Sequence, residues 1–169
     1  MKRKLQLAAV LFGLWPIIIL AAQGDREFEL SGNGSSDNEF NINNFAASTS
    51  LSYYLTDSQE IGLRQGIGVA SVEGAAELWN GTTRGFYDFN FPLGELEPFI
   101  GVNAGYRYGS RVTDAFVAGP EAGLEVLVLP QTFIVAQAEY QLRFQNVDQV
   151  DDAFDNGSLV YTLGIGFDF

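Results

Sequence analysis

Large apolar residues alternate with small or polar residues along the chain after residue 24, as side chains do on the two faces of a β-strand. The last run shows the alternation most clearly. One face carries only large apolar residues, namely Leu159, Tyr161, Leu163, Ile165, Phe167 and Phe169. The opposite face is small or polar apart from Val160. The end of the chain therefore predicts a strand with one apolar side.

Seven earlier runs of about ten residues show the same period, which gives eight candidate strands. Their apolar faces lie within 28–30, 45–55, 61–69, 87–91, 98–108, 120–128 and 134–144. The first four are less regular than the others, and Gln65 interrupts the apolar face of the third. No run of 18 apolar residues follows residue 24, so the pattern predicts no spanning helix there.

The connections between these runs alternate in length. Segments 55–60, 91–98 and 129–132 are short, whereas 33–43, 71–83, 109–117 and 146–157 are longer and polar. Short turns at one end and long loops at the other are typical of outer-membrane barrels. We therefore predict an all-β fold over 25–169, an eight-stranded antiparallel up-and-down transmembrane β-barrel with both termini at the short-turn end.

Residues 1–24 have the organisation of a signal peptide. Three basic residues, Lys2, Arg3 and Lys4, precede an apolar run from Leu5 to Ala22. Ala22 and Gly24 then place small residues around a possible cleavage site. The alternative is an uncleaved membrane anchor, since the run is nearly long enough to span a bilayer. We favour the signal peptide and hence export through the inner membrane.

Composition excludes several classes of function. After residue 24 the chain has six arginines against 21 acidic residues, a formal charge of −15, which disfavours binding to nucleic acid. The chain has no histidine and no cysteine, so a Ser-His-Asp triad and a His-ligated zinc site are impossible. We therefore expect no enzyme activity, no cofactor and no catalytic or resident metal site. A lipid-modifying enzyme of the outer membrane is a weak alternative, because known small-barrel versions depend on histidine.

The face opposite the apolar one is rich in glycine and carries charges of both signs. Its charged members are Arg64, Arg84, Asp88, Arg107, Glu121, Glu125, Glu139 and Arg143. An eight-stranded barrel has an interior just wide enough for side chains to fill, and buried charges of opposite sign can pair there. We favour a salt-bridged plug in place of a hydrophobic core, and the alternative is a narrow path for ions or small solutes.

A soluble exported barrel that binds an apolar ligand would also alternate, but with its large apolar residues inside. Aromatic residues near the ends of the apolar face favour the membrane, where such residues form girdles at the two interfaces. They include Tyr53, Phe89, Phe91, Tyr106, Tyr108, Tyr140, Phe144, Phe167 and Phe169.

Taken together, the signal segment, the eight alternating runs and the ending Gly164-Ile165-Gly166-Phe167-Asp168-Phe169 resemble the OmpA-like and OmpX-like small outer-membrane barrels. The resemblance implies a location in the bacterial outer membrane, in contact with its lipid. It also implies that Tyr161, Ile165, Phe167 and Phe169 form the C-terminal signal recognised by the barrel-assembly machinery. The motifs specify this class of porin-like cell-surface barrels and do not identify a particular member. We expect a structural or surface-interaction role and a monomer.

Acidic residues cluster in the longer loops. Asp148, Asp151, Asp152 and Asp155 lie in the last loop, and oxygen ligands at such spacing suit a divalent cation such as Ca²⁺. Their spacing does not follow the EF-hand pattern, so we favour a solvated acidic surface over a specific cation site.

Overall fold

The computed structural model describes residues 24–36, 42–72, 78–110, 114–145 and 157–169. These residues form a single closed barrel in which consecutive strands are neighbours and β8 returns to β1. The strands are β1 Arg26–Ser36, β2 Ile42–Thr56, β3 Gln59–Val72, β4 Leu78–Asn90, β5 Leu96–Gly109, β6 Ala115–Leu129, β7 Thr132–Phe144 and β8 Ser158–Asp168. All eight pairings are antiparallel, which confirms the predicted fold class.

The barrel closes where the first and last strands pair. Their register runs from Glu27 opposite Asp168 to Gly32 opposite Leu163. Beyond it, the Arg26 amide donates to the Phe169 carbonyl at 3.1 Å, and the Phe169 amide donates to the Arg26 carbonyl at 2.9 Å. The closed ladder satisfies backbone groups that would otherwise be exposed at a sheet edge.

We call the end that carries Arg26, Phe169 and the short connections the turn end, and the opposite end the loop end.

The strands are 11 to 15 residues long, and therefore longer than the sequence pattern indicated. The predicted loop bounds 33–43, 71–83 and 109–117 are wrong. The strands β1 and β3 run to Ser36 and Val72, and β4 and β6 begin at Leu78 and Ala115. Polar residues there continue the ladder, since hydrogen bonding between strands does not require an apolar face.

The apolar faces point outward. Leu63 and Tyr161 are each 67% exposed, whereas Glu121 on the inner face is 3% exposed. Aromatic side chains contact one another near both ends of the outer surface, as Phe89 does with Phe91 and Tyr106 with Phe116. This arrangement is the inverse of a soluble barrel and suits contact with lipid. Among the described residues, no helix is long and apolar enough to cross a membrane.

A polar side chain lies on the outer surface at the position where the sequence pattern is interrupted. The exposed Gln65 amide donates to the Tyr108 hydroxyl at 3.0 Å, and its carbonyl accepts a hydrogen bond from Thr83 Oγ1 at 2.7 Å. These partners satisfy the NH₂ group and the carbonyl oxygen of the Gln65 amide. The free-energy cost of placing it in an apolar environment is therefore lower than for an amide without hydrogen bonds.

Candidate functional site in the barrel lumen

Four strands send one charged side chain each to the middle of the lumen, where two ion pairs form. Arg64 donates from Nη1 to Glu121 Oε2 at 2.9 Å and from Nη2 to Oε1 at 3.4 Å. Arg84 donates from Nη1 to Glu139 Oε2 at 2.6 Å. The first pair spans from β3 to β6 and the second from β4 to β7. Both pairs therefore cross the lumen and do not follow the strand ladder.

Glu121 is the acceptor on which this layer converges. Its Oε2 also accepts hydrogen bonds from Asn103 Nδ2 at 2.7 Å and Gln137 Nε2 at 2.6 Å. The Arg64 guanidinium lies 4.7 Å from the centre of the Phe86 ring, a cation–π contact. Asn103, Gln137 and Phe86 share the inward phase of their strands, and that phase was the only sequence signal that could have identified them.

Apolar side chains fill the lumen beside this layer, and the sequence interpretation of a wholly ionic plug missed them. Phe99, Phe133 and Val135 form a cluster in which each is at most 4% exposed. Glycines on adjacent strands make room for the rings. A Cβ built on Gly123 would overlap the Phe99 ring, and one built on Gly166 would overlap the Phe133 ring.

Two cavities open from opposite ends of the lumen. The turn-end cavity, of about 660 Å³, and the loop-end cavity, of about 320 Å³, share no lining residue among those described. The ion-pair layer and the aromatic cluster lie between them, and we call these residues together the septum. The turn-end cavity is lined by Asp25, Asp57, Glu95, Glu97, Glu125 and Asp168, whereas Arg64, Arg84, Arg107 and Arg143 line the loop-end cavity.

The eight charged residues predicted for the lumen all lie on its inner face but form three groups. Arg64, Arg84, Glu121 and Glu139 meet in the septum. Arg107 and Arg143 lie at the loop end, where no described carboxylate pairs with them.

Asp88 and Glu125 lie toward the turn end, beside other acids. In the ladder, Asp88 is opposite Glu60, and Glu125 is opposite Glu97. Asp88 and Glu125 are buried, and Asp88 Oδ1 has no hydrogen-bond partner among the described residues. Neither residue takes part in the ion pairs of the septum.

The four C-terminal residues predicted as an assembly signal share the outer surface. Tyr161, Ile165, Phe167 and Phe169 are between 40% and 67% exposed. The cluster of Asp148, Asp151, Asp152 and Asp155 lies outside the described residues, as does the predicted signal segment up to Gln23. Within the described part of the chain, no group of three or more acidic side chains is arranged to hold a metal ion.

Neither a protein-family model nor a curated protein matches the chain. The fold is nevertheless similar to that of solved barrels. The N-terminal β-barrel domain of Pseudomonas aeruginosa OprF is 21% identical, with a TM-score of 0.57, over 87% of this chain and 100% of that one.

Two further bacterial barrels match in the same way. The outer membrane protein Ail of Yersinia pestis, determined in a phospholipid bilayer nanodisc, is 15% identical with a TM-score of 0.55, over 87% of this chain and 100% of that one. A major outer membrane protein from Thermus thermophilus is 13% identical with a TM-score of 0.55, over 88% of this chain and 100% of that one. The chain therefore has the eight-stranded fold of bacterial outer-membrane barrels, as its sequence predicted.

Proposed function

We propose that this chain is a non-enzymatic protein of the bacterial outer membrane whose closed barrel anchors surface loops and does not conduct. The observation that carries the proposal is the septum, in which two ion pairs from opposite walls cross the lumen beside an apolar cluster. The acidic loops would supply the surface-interaction role, and outer-membrane lipid would surround the barrel. The barrel-assembly machinery and divalent cations at the loops are the further partners that we propose.

The outer surface supports the membrane location. Its large side chains include Leu63, Leu163 and Ile100, each more than half exposed. Such a surface would be unstable in water, where extended apolar patches lead to association. In lipid the same surface is solvated, and the charged groups of the septum face the lumen. A soluble barrel with an apolar ligand is disfavoured because its interior would have to be apolar.

The chemistry of the septum supports a closed state. Glu121 accepts from a guanidinium and two amides, so opening the layer would break several buried charge-assisted bonds together. Phe99 and Phe133 occupy the space beside the ion pairs and cannot be replaced by water without losing their packing. The middle of the lumen is thus filled in the way that an eight-stranded barrel permits.

A narrow channel is the second candidate, and one observation favours it. Cavities enter the lumen from both ends, so only the septum separates them in the described part of the barrel. Paired displacement of Arg64 and Arg84 from their partners would open the ion-pair layer of the septum.

Planar-bilayer recording of the refolded protein distinguishes the two candidates. We expect conductance at the level of bare lipid for the unmodified chain, and steady channels when Arg64→Ala and Glu121→Ala are combined. A band that migrates faster before boiling than after it verifies that each sample is a closed barrel. Steady channels from the unmodified chain would refute the proposal that the barrel does not conduct and would establish the channel.

A further inference from the structure

Positive charge is concentrated at one place in a chain that is otherwise strongly acidic. Four of the six arginines that follow residue 24 line the loop-end cavity. Among the described residues of that lining, Glu139 is the only acidic one, and it is paired with Arg84. Arg64 is paired with Glu121 in the septum. The charges of Arg107 and Arg143 therefore remain uncompensated by any residue that the structure describes.

Arg107 and Arg143 differ in how their donors are satisfied. Arg143 donates to Ser158 Oγ at 2.9 Å and to Gln141 Oε1 at 3.3 Å, both neutral acceptors. Arg107 has no hydrogen bond or ion pair with any described residue, and its Nε atom is buried. Arg107 on β5 and Arg143 on β7 flank the same strand, β6, at positions two residues apart in its register. A buried donor without an acceptor is costly, and two neighbouring cations without an anion add to that cost.

The rest of the lining suits a ligand that accepts many hydrogen bonds. Asn80, Thr82 and Thr162 supply neutral polar groups around the arginines. The planar guanidinium fork matches two oxygens of a tetrahedral oxyanion. We propose that the loop-end cavity binds a small oxyanion of the phosphate or sulfate class, held by Arg107 and Arg143.

An anion there would satisfy the free donors of Arg107 and remove the repulsion between Arg107 and Arg143. The same chemistry is offered by two sources, a free inorganic anion and the phosphate of a lipid headgroup. The cavity lies inside the barrel wall, whereas headgroups surround its outside, so a free anion is the source that we expect. The proposal does not depend on whether the septum conducts.

Nitrogen-15 NMR of the arginine side chains tests the site directly, because only six arginines follow residue 24. The refolded barrel is held in maltoside micelles, which contain no phosphate, and inorganic phosphate is titrated against sodium chloride at equal ionic strength. We expect the Nε–H signals of Arg107 and Arg143 to shift in a saturable way with phosphate only. The Arg26 signal, at the turn end, should stay unchanged.

Matched variants separate binding from general electrostatics. Arg107→Gln should weaken phosphate binding about tenfold or more, since it removes a charge-assisted donor. Arg26→Gln makes the same charge change at the other end and should leave the affinity unchanged. Arg107→Lys keeps the charge but loses the fork, so its affinity should fall between those of Arg107→Gln and the unmodified chain. The boiling-dependent gel shift confirms that each variant is folded.

Equal shifts with chloride and with phosphate would overturn the site, as would a phosphate affinity that Arg107→Gln leaves unchanged. The absence of a saturable shift in the micelles and also in nanodiscs that contain lipid A would overturn it as well. Saturation by free phosphate in micelles would support the site and identify a free anion as its source. Shifts that occur only in the lipid A nanodiscs would support the site and assign the phosphate to the headgroup.

Discussion

Arg64 and Arg84 lie directly opposite each other in the ladder between β3 and β4, yet each guanidinium pairs with a different carboxylate across the lumen. Like charges at such positions destabilise a sheet unless other groups neutralise them. Glu121 and Glu139, on the adjacent strands β6 and β7, are also directly opposite each other. The ion-pair layer of the septum therefore consists of two like-charged cross-strand pairs, which neutralise each other only when the barrel is closed.

Glu121→Gln should be strongly destabilising, because it removes the charge that neutralises the buried Arg64. Removing one partner of a buried ion pair lowers the unfolding free energy by about 3–5 kcal/mol. Urea unfolding in detergent, followed by the fluorescence of Trp79, measures the change. Arg143→Gln, at the exposed mouth, should cost less than about 1 kcal/mol. Equal effects of the two substitutions would show that the septum contributes no special stability.

The sequence could predict which side of each strand faces inward, but not which charges meet. Alternation alone places Arg64, Arg84 and Arg107 on one face. Which residue lies across the lumen depends on the stagger of all eight strands, and no local pattern encodes that stagger. Phe99 and Phe133 were missed for a related reason. A large residue on a face rich in glycine looks like an exception until the glycines of neighbouring strands are placed beside it.

Gly123→Ala should test how tightly the aromatic cluster is packed. The added Cβ would overlap the Phe99 ring and lie 2.7 Å from the Ala136 carbonyl oxygen, so the structure must shift. We expect a loss of about 1–3 kcal/mol in unfolding free energy, typical of overpacking. Adding Phe99→Leu to this variant should restore only part of the lost unfolding free energy, since the contact between the new Cβ and the Ala136 carbonyl oxygen remains. At Gly85, where the nearest atom is 3.8 Å away, alanine should be tolerated.

Two leucines of similar exposure distinguish lipid from water on the outer surface. Leu163, in the middle of β8, is 64% exposed, and Leu93, in a turn-end connection, is 69% exposed. In a membrane, Leu163→Arg should cost about 2–4 kcal/mol and Leu93→Arg about 0–1 kcal/mol, because the penalty depends on depth. Unfolding titrations in lipid vesicles measure both. Equal costs would contradict the membrane location.

Glu125→Gln should stabilise the barrel by about 1 kcal/mol at neutral pH, because Glu125 is buried directly opposite Glu97. No described basic residue forms an ion pair with Glu125, so the amide loses no attraction. Glu139→Gln is the matched control, since the same chemical change removes the partner of Arg84 and should destabilise. We expect the two substitutions to change the unfolding free energy in opposite directions. Destabilisation by Glu125→Gln would show that its charge is compensated by a group beyond the described residues.

Phe169 combines two properties that different variants can separate. Its backbone exchanges both closing hydrogen bonds with Arg26, and its ring is 62% exposed on the outer surface. Phe169→Ala keeps the backbone bonds and loses the ring, whereas deletion of Phe169 loses both. If the assembly machinery recognises the ring, both variants should reduce the amount of folded barrel in the outer membrane several-fold. The unfolding free energy of refolded Phe169→Ala should change by less than about 1 kcal/mol, because the exposed ring makes few contacts.

Outer-membrane fractions from cells expressing each variant, compared on gels before and after boiling, measure assembly. Urea titration of the same proteins refolded in detergent measures stability without the machinery. Leu159→Ala is a suitable control, since it removes a side chain of similar exposure, 59%, from the other end of β8. It should change assembly much less than Phe169→Ala does. Normal levels of the deletion variant in the outer membrane would show that Phe169 is not an assembly signal, and that its role is confined to closing the ladder.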